Sequence, residues 1–169
     1  FDAVAVSVEQ TDRAHFYPDK ELMSLELVVD KATRRVLGLQ GACVDGDALK
    51  ARIDAVAGVL QYAKPTVEDI SNLEVCYAPP FASAKDVVNK VANVSDKVLA
   101  GRFKPLMADE FMKLWHDRAN NNIFFIDARP AKAGKAIQEQ FPDWHSIPLE
   151  EVRARVNEVP KDRPVALVC

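Results

Sequence analysis

Thiols, phenols and one aspartate–arginine pair are the groups in this sequence whose types and spacing could do chemistry. A thiol reacts as its thiolate, and a free cysteine with a pKa near ~8.5 needs an electropositive setting to form one at neutral pH. Cys76 borders the apolar Pro79-Pro80-Phe81 stretch with no cation beside it, and Cys43 is similar. Both read as small buried core residues. Cys169 closes the apolar run Val165-Ala166-Leu167-Val168. Tyr77 precedes Pro79-Pro80, whose rings restrict the backbone, so its phenol sits on a stiff segment. From the residues alone it reads as a partly buried tyrosine with one hydrogen bond. His15-Phe16-Tyr17-Pro18 reads as a surface or interface segment. Asp127 and Arg129 follow an apolar run; such an aspartate ties a loop and the arginine pairs with it, a supporting arrangement rather than direct chemistry. His145, after Trp144, reads as a surface residue as readily as a site residue.

These groups need elements to hold them. Val4, Val6 and Val8 alternate, and so do Leu25, Leu27 and Val29 before the polar 30–35 stretch turns the chain into 36–42, which predicts a β-hairpin with a sheet neighbour. From Asp47 the period becomes helical, with Leu49, Ile53, Val56, Ala57 and Leu60 on one face. Thr66 with Asp69, and Ser83 with Asp86, have capping-box spacing. The second opens a helix facing Val87, Val91, Val94 and Val98 one way, and Gly101 offers a left-handed end before Pro105. The pattern then restarts: a helix over 109–118, a buried strand over 123–126, and a helix over 131–140. A helix carrying Leu149, Val152 and Val156 follows, then a strand over 164–168. Alternating strands and helices predict a parallel α/β sheet. The boundary falls between residues 1–104 and 105–169.

The composition excludes several function classes. Apolar residues make up 49% of the 169, yet the longest uncharged apolar runs fall far short of a membrane span of ~20 residues. The net charge is −3, from 22 basic and 25 acidic residues mixed along the chain, with no basic stripe for nucleic-acid phosphates. Three cysteines without metal-ligand spacing fit neither a disulfide framework nor a zinc site, and a reducing cytoplasm fits best. No Gly-x-Gly-x-x-Gly fingerprint occurs, so no cofactor is expected on these residues. The start, Phe1-Asp2-Ala3-Val4, holds neither an initiator Met nor a signal peptide, so the chain reads as a piece of a longer protein.

The segment Leu73-Glu-Val-Cys-Tyr-Ala-Pro-Pro-Phe-Ala-Ser-Ala-Lys-Asp-Val-Val-Asn89 resembles a signature near the end of the dimerisation domain of pyridine nucleotide-disulfide oxidoreductases of the CoA-disulfide reductase and NADH oxidase type. Val36-Leu-Gly-Leu-Gln-Gly41 and Arg52-Ile-Asp-Ala-Val-Ala57 fall where that family has a strand and the following helix. The resemblance implies an α+β domain, an antiparallel sheet with helices, that pairs with its copy in a homodimer. It also implies that Tyr77 lies near the partner subunit's thiol substrate as a catalytic phenol, with Tyr17 as a second, supporting tyrosine. FAD and NAD(P)H are implied for the parent protein, whose redox cysteine sits in a flavin domain outside these residues.

Residues from Pro105 onward resemble a rhodanese domain through Phe124-Phe-Ile-Asp-Ala-Arg129, Ser146-Ile-Pro-Leu-Glu-Glu-Val152 and Val159-Pro-Lys-Asp-Arg-Pro-Val-Ala-Leu-Val-Cys169. This implies a partial α/β fold with a parallel sheet, truncated at Cys169, the position of the sulfur-carrying nucleophile, with Asp127 and Arg129 supporting it. The expected Gly-His-Ile-Pro-Gly-Ala type stretch is replaced by Ala133-Gly134-Lys135 and Phe141-Pro-Asp-Trp-His145. Together the resemblances imply part of a reductase of CoA-disulfide, persulfide or polysulfide, with CoA or another small thiol as substrate and a sulfur-carrying module on the same chain. These residues alone are expected to be inactive. The alternatives are a non-catalytic dimerisation and partner-binding module with a degenerate rhodanese fold, or an NADH oxidase parent.

Overall fold

Alternating valines and leucines build the first sheet. In the computed structural model, which describes residues 2–169, β1 (Ala3–Thr11), β2 (Leu22–Asp30) and β3 (Val36–Cys43) form an antiparallel meander in the order β1-β2-β3. Ala3 pairs with Asp30 and Thr11 with Leu22; Met23 pairs with Cys43. The period of two sends Met23, Leu25, Leu27 and Val29 to one fully buried face. The turn after β2 is held by the Asp30 carboxylate, which accepts from the Thr33 amide, and it passes through Arg34 at φ 62°.

Three helices cover that face: α1 (Gly46–Tyr62), α2 (Val67–Ser71) and α3 (Val87–Leu99). Asp45 caps α1 by accepting from the Ala48 amide, and Thr66 with Asp69 forms the expected reciprocal box on α2. Two expectations are corrected. The deep positions of α1 are Arg52 and Val56, with Ala48, Leu49, Val59 and Leu60 packed at the core's edge, whereas Ala57 faces out. Ser83 is not the cap of α3: Asp86 is, accepting from the Val88 amide, and Ser83 instead donates to the Arg13 carbonyl. The core face of α3 runs through Val87, Val88, Val91, Ala92 and Ser95, leaving Val94 and Val98 half-buried. Gly101 ends this region at φ 67°, the left-handed geometry foreseen for it.

The chain divides into two compact units between Pro105 and Leu106. The second begins with α4 (Ala108–His116) and continues through β4 (Phe124–Asp127), α5 (Ala131–Gln140), β5 (Trp144–Ser146), a one-turn α6 (Leu149–Val152) and β6 (Val165–Val168). Its sheet is parallel in the order β5-β4-β6, and all four residues of the central β4 are buried. Burial on both faces is the rule for such a strand. On one face Phe125, Trp115, Trp144 and Ala166 cluster, with the Trp115 ring edge-to-face against both Phe125 and Trp144; on the other Phe124, Ile126 and Ile147 pack with Val152 and Val159. The helix expected to run from Leu149 through Val156 is not continuous. It breaks after Val152, a 3₁₀ turn covers Val156–Glu158, and Val156 faces solvent while Val152 and Val159 both reach the core.

Candidate functional site

In the first unit, two loops meet at one end of the sheet. The first leaves β1 at Asp12 and returns at Glu21. Asp12, 1% exposed, closes its base: its amide donates to the Glu21 carbonyl at 2.9 Å and its carboxylate accepts from the Glu21 amide at 2.8 Å. Burial pushes the Asp12 carboxyl up, but the Arg13 guanidinium and the Glu21 amide outweigh it and hold the group below the usual carboxylate value. Arg13 also reaches Asp45, the cap of α1, at 2.6 Å. The second loop carries Tyr77 and the two prolines into a turn in which the Phe81 and Ala82 amides both donate to the Ala78 carbonyl.

Two direct bonds join these loops, and a third ties the end of β1 to the second. The Ala14 amide donates to the Pro79 carbonyl at 3.1 Å, the Ser83 hydroxyl to the Arg13 carbonyl at 3.1 Å, and the Gln10 side-chain amide to the Lys85 carbonyl at 3.0 Å. Asn89 fixes the approach to Tyr77 from the other side by donating to the Leu73 carbonyl at 2.9 Å. Tyr17 and Tyr77 therefore belong to one bonded loop pair. Tyr17 is half-buried; Tyr77 is 53% exposed, and no described residue bonds its hydroxyl, so the reading of a partly buried, hydrogen-bonded phenol is corrected. Phe16 and Phe81 stand out from the same loops at 65% and 73% exposure, and His15 packs edge-on against Phe16. Cys76 is corrected too: it is exposed, because this segment runs outside the helices rather than into the core. Cys43 is half-buried against the core, where its thiol packs as a small apolar group.

Sequence reasoning missed what lies behind the loops. Arg52, 8% exposed, points from α1 into the protein and pairs with Asp86 at 2.9 Å. Its signal was present but weak: an arginine one turn before Val56 on a face otherwise apolar.

In the second unit the carboxyl ends of the parallel strands bring Asp127, Arg129 and Cys169 to one region. Asp127 is fully buried and accepts from the Arg129 amide at 2.9 Å, from Arg129 Nε at 2.9 Å and Nη2 at 2.6 Å, and from Trp144 Nε1 at 2.9 Å. Burial raises its pKa, but the Arg129 bonds and the Trp144 donor bring it below the usual value, and the same contact raises that of Arg129. Trp144, not singled out from the sequence, is thus a partner of that carboxylate. Asp127 pairs in register with Val168, and the Ala128 amide donates to the Val168 carbonyl at 2.8 Å, which puts exposed Cys169 just past the paired strand ends. The carboxyl ends of parallel strands are where α/β sheets place ligand sites. α5 comes close here: a Cβ on Gly134 would lie 2.4 Å from Ser146 Oγ.

The arrangement offers an exposed phenol on a braced loop pair in one unit, and in the other an exposed thiol one residue past the strand position that pairs with the buried Asp127, whose partner Arg129 is half-buried. Among the described residues, no three His, Cys, Asp or Glu side chains gather as a metal site requires, and no helix is long and apolar enough to cross a membrane.

No family model matches the chain. Coenzyme A disulfide reductase of Staphylococcus aureus (strain bovine RF122 / ET3-1) is 32% identical over 91 residues, which cover 54% of this chain and 20% of that protein. Among solved structures, an NAD-dependent persulfide reductase from A. fulgidus matches 99% of this chain and 28% of its own, with TM-score 0.80 and 30% identity. The reduced CoADR-RHD of Bacillus anthracis matches 99% of this chain and 28% of its own, with TM-score 0.79 and 28% identity. The water-forming NADH oxidase of Lactobacillus brevis shares the fold alone over 59% of this chain and 22% of its own, with TM-score 0.54 and 24% identity. The chain thus spans about a fifth of the length of the curated relatives it matches. These similarities support a C-terminal region of a pyridine nucleotide-disulfide oxidoreductase.

Proposed function

We propose that this chain is part of a homodimeric, FAD- and NAD(P)H-dependent reductase of CoA disulfide or a related persulfide. Its first unit would be the dimerisation domain and its second a rhodanese-type sulfur carrier. The observation that carries the reading is the braced loop pair: two tyrosines and two exposed phenylalanines presented on loops bonded to each other. Such a surface suits a partner subunit, because large aromatic groups gain most from burial at an interface. The similarity to a Coenzyme A disulfide reductase and to an NAD-dependent persulfide reductase supports the substrate class. FAD and NAD(P)H belong, on this reading, to segments outside these 169 residues, whose sequence has no dinucleotide-binding glycine turn.

Within that protein the Tyr77 hydroxyl acts across the interface, donating a hydrogen bond to the sulfur that leaves as thiolate when the disulfide bond breaks. The Cys169 thiolate attacks the sulfane sulfur of a donor such as thiosulfate, breaking its S–S bond and releasing sulfite; an acceptor thiolate then takes the outer sulfur of the resulting Sγ persulfide and restores the Cys169 thiolate. Arg129 is already committed to Asp127, so this pair braces the strand end rather than supplying free charge to the thiol. The full-length protein should oxidise NAD(P)H with CoA disulfide, and Tyr77→Phe should lower the turnover roughly a hundredfold. An unchanged turnover in Tyr77→Phe rules out the phenol's role. Cys169→Ser should abolish sulfur transfer from thiosulfate to cyanide.

A further inference from the structure

Arg52 lies on α1, outside both loops, and is bonded to each. Its Nη2 donates to the Asp12 carbonyl at 2.8 Å on the first loop and to the Phe81 carbonyl at 2.8 Å on the second. Nη2 and Nε meet the Asp86 carboxylate at 2.9 and 3.2 Å, and Nη1 returns to the Ala48 carbonyl at 3.0 Å. We infer that Arg52 is a positioning residue for Tyr77, its guanidinium setting the spacing of the two tyrosine-bearing loops and the Asp86 carboxylate holding the guanidinium in place. The inference rests on the function proposed above.

Three features give this arrangement its reach. A guanidinium is planar with donors at fixed angles, so one side chain can hold two carbonyls and a carboxylate in a set geometry, which a lysine ammonium cannot copy. The site is dry: Arg52 and Asp86 are 8% and 4% exposed, so water does not readily replace a lost bond. Between Phe81 and Tyr77 the chain is stiff, with two prolines and a turn closed on the Ala78 carbonyl, so a shift at the Phe81 carbonyl is carried to the phenol. Asp86 both receives the guanidinium and caps α3, linking the loop pair to the helix layer.

The test is a double-mutant cycle in the full-length protein, using CoA disulfide as substrate and following flavin reduction by NAD(P)H separately. Arg52→Lys keeps a cation for Asp86 and gives up the bridge. It should lower kcat/KM for CoA disulfide about tenfold by misplacing the phenol, and leave the flavin-reduction rate unchanged. In a Tyr77→Phe background it should add little, because the two changes remove one function. Full activity in Arg52→Lys, a multiplicative loss in the double variant, or an equal loss in flavin reduction overturns the inference. A fully active Tyr77→Phe instead overturns the functional reading, and the inference with it. Should Arg52→Lys not fold, Asp86→Asn enters the same cycle, with the same non-additivity expected and additivity counting against the inference.

Discussion

Asp127 shows how one buried carboxylate can organise a strand end. It is fully buried, yet four donor contacts from Arg129 and Trp144 keep it ionised, and its pKa lies below the ordinary 3.8. A depressed folded-state pKa means that the stabilisation is complete above the unfolded value and disappears as pH falls through the folded one. Below about pH 4, therefore, this contribution fades. Asp127→Asn should be less stable at pH 7 by about 1–3 kcal/mol, since an uncharged acceptor replaces a charge-assisted one. Between pH 5 and pH 2 the variant's stability should fall less steeply than that of the wild type. Urea unfolding followed by tryptophan fluorescence checks this, because Trp115 and Trp144, the chain's two tryptophans, both lie in the second unit. Parallel pH profiles for the two proteins would show that the Asp127 contacts contribute nothing net.

Among the elements, the close approach of α5 to the end of β5 is the tightest fit at the second candidate site. A methyl at Gly134 meets Ser146 Oγ at 2.4 Å and Ser146 Cβ at 3.0 Å, so β5 or α5 must move to admit it. Gly134→Ala should cost the second unit about 1–3 kcal/mol, read as a lower urea midpoint by the same fluorescence, and an unchanged midpoint would show that the helix shifts freely. Ser146→Ala tests the other side of the contact. Ser146 Oγ is buried without a hydrogen-bond partner among the described residues, so removing it should be neutral or slightly stabilising. A loss above about 1 kcal/mol would point to a partner for the hydroxyl, such as a bound water.

For the molecule as a whole, the two units present different surfaces, and the aromatic one carries the assembly prediction. Phe16 and Phe81 are exposed on loops whose backbones are bonded in place, so replacing a side chain there changes the surface and spares the brace. On the proposed homodimer, Phe81→Asp should shift the full-length protein toward monomer in light scattering, with its circular dichroism unchanged. A variant that stays dimeric at low concentration would place the interface elsewhere. The chain's mixed charge, net −3, gives no large field to drive association, which leaves apolar burial as the stronger contribution.

The sequence by itself determined the elements, because their signals are local. Leu25, Leu27 and Val29 at period two, Thr66 and Asp69 at capping distance, and Gly101 before Pro105 each act within a few residues, and each appears in the fold as the pattern predicts. The hairpin pattern over 22–42 and the later alternation of strands and helices likewise agree with the antiparallel meander and the parallel sheet. Tertiary structure decided the rest where a residue's surroundings come from far along the chain. Arg52 is buried because Asp86, 34 residues on, compensates its charge, whereas the helical pattern by itself put Ala57, not Arg52, on the core face. Ser83 lost its cap role to Asp86 because the Arg13 carbonyl lies within its reach in the fold. Cys76 and Tyr77 are exposed for a similar reason: the bonds from Asn89, Ala14 and Arg52 hold their loop at the surface, and no property of Cys76 or Pro79 encodes those partners.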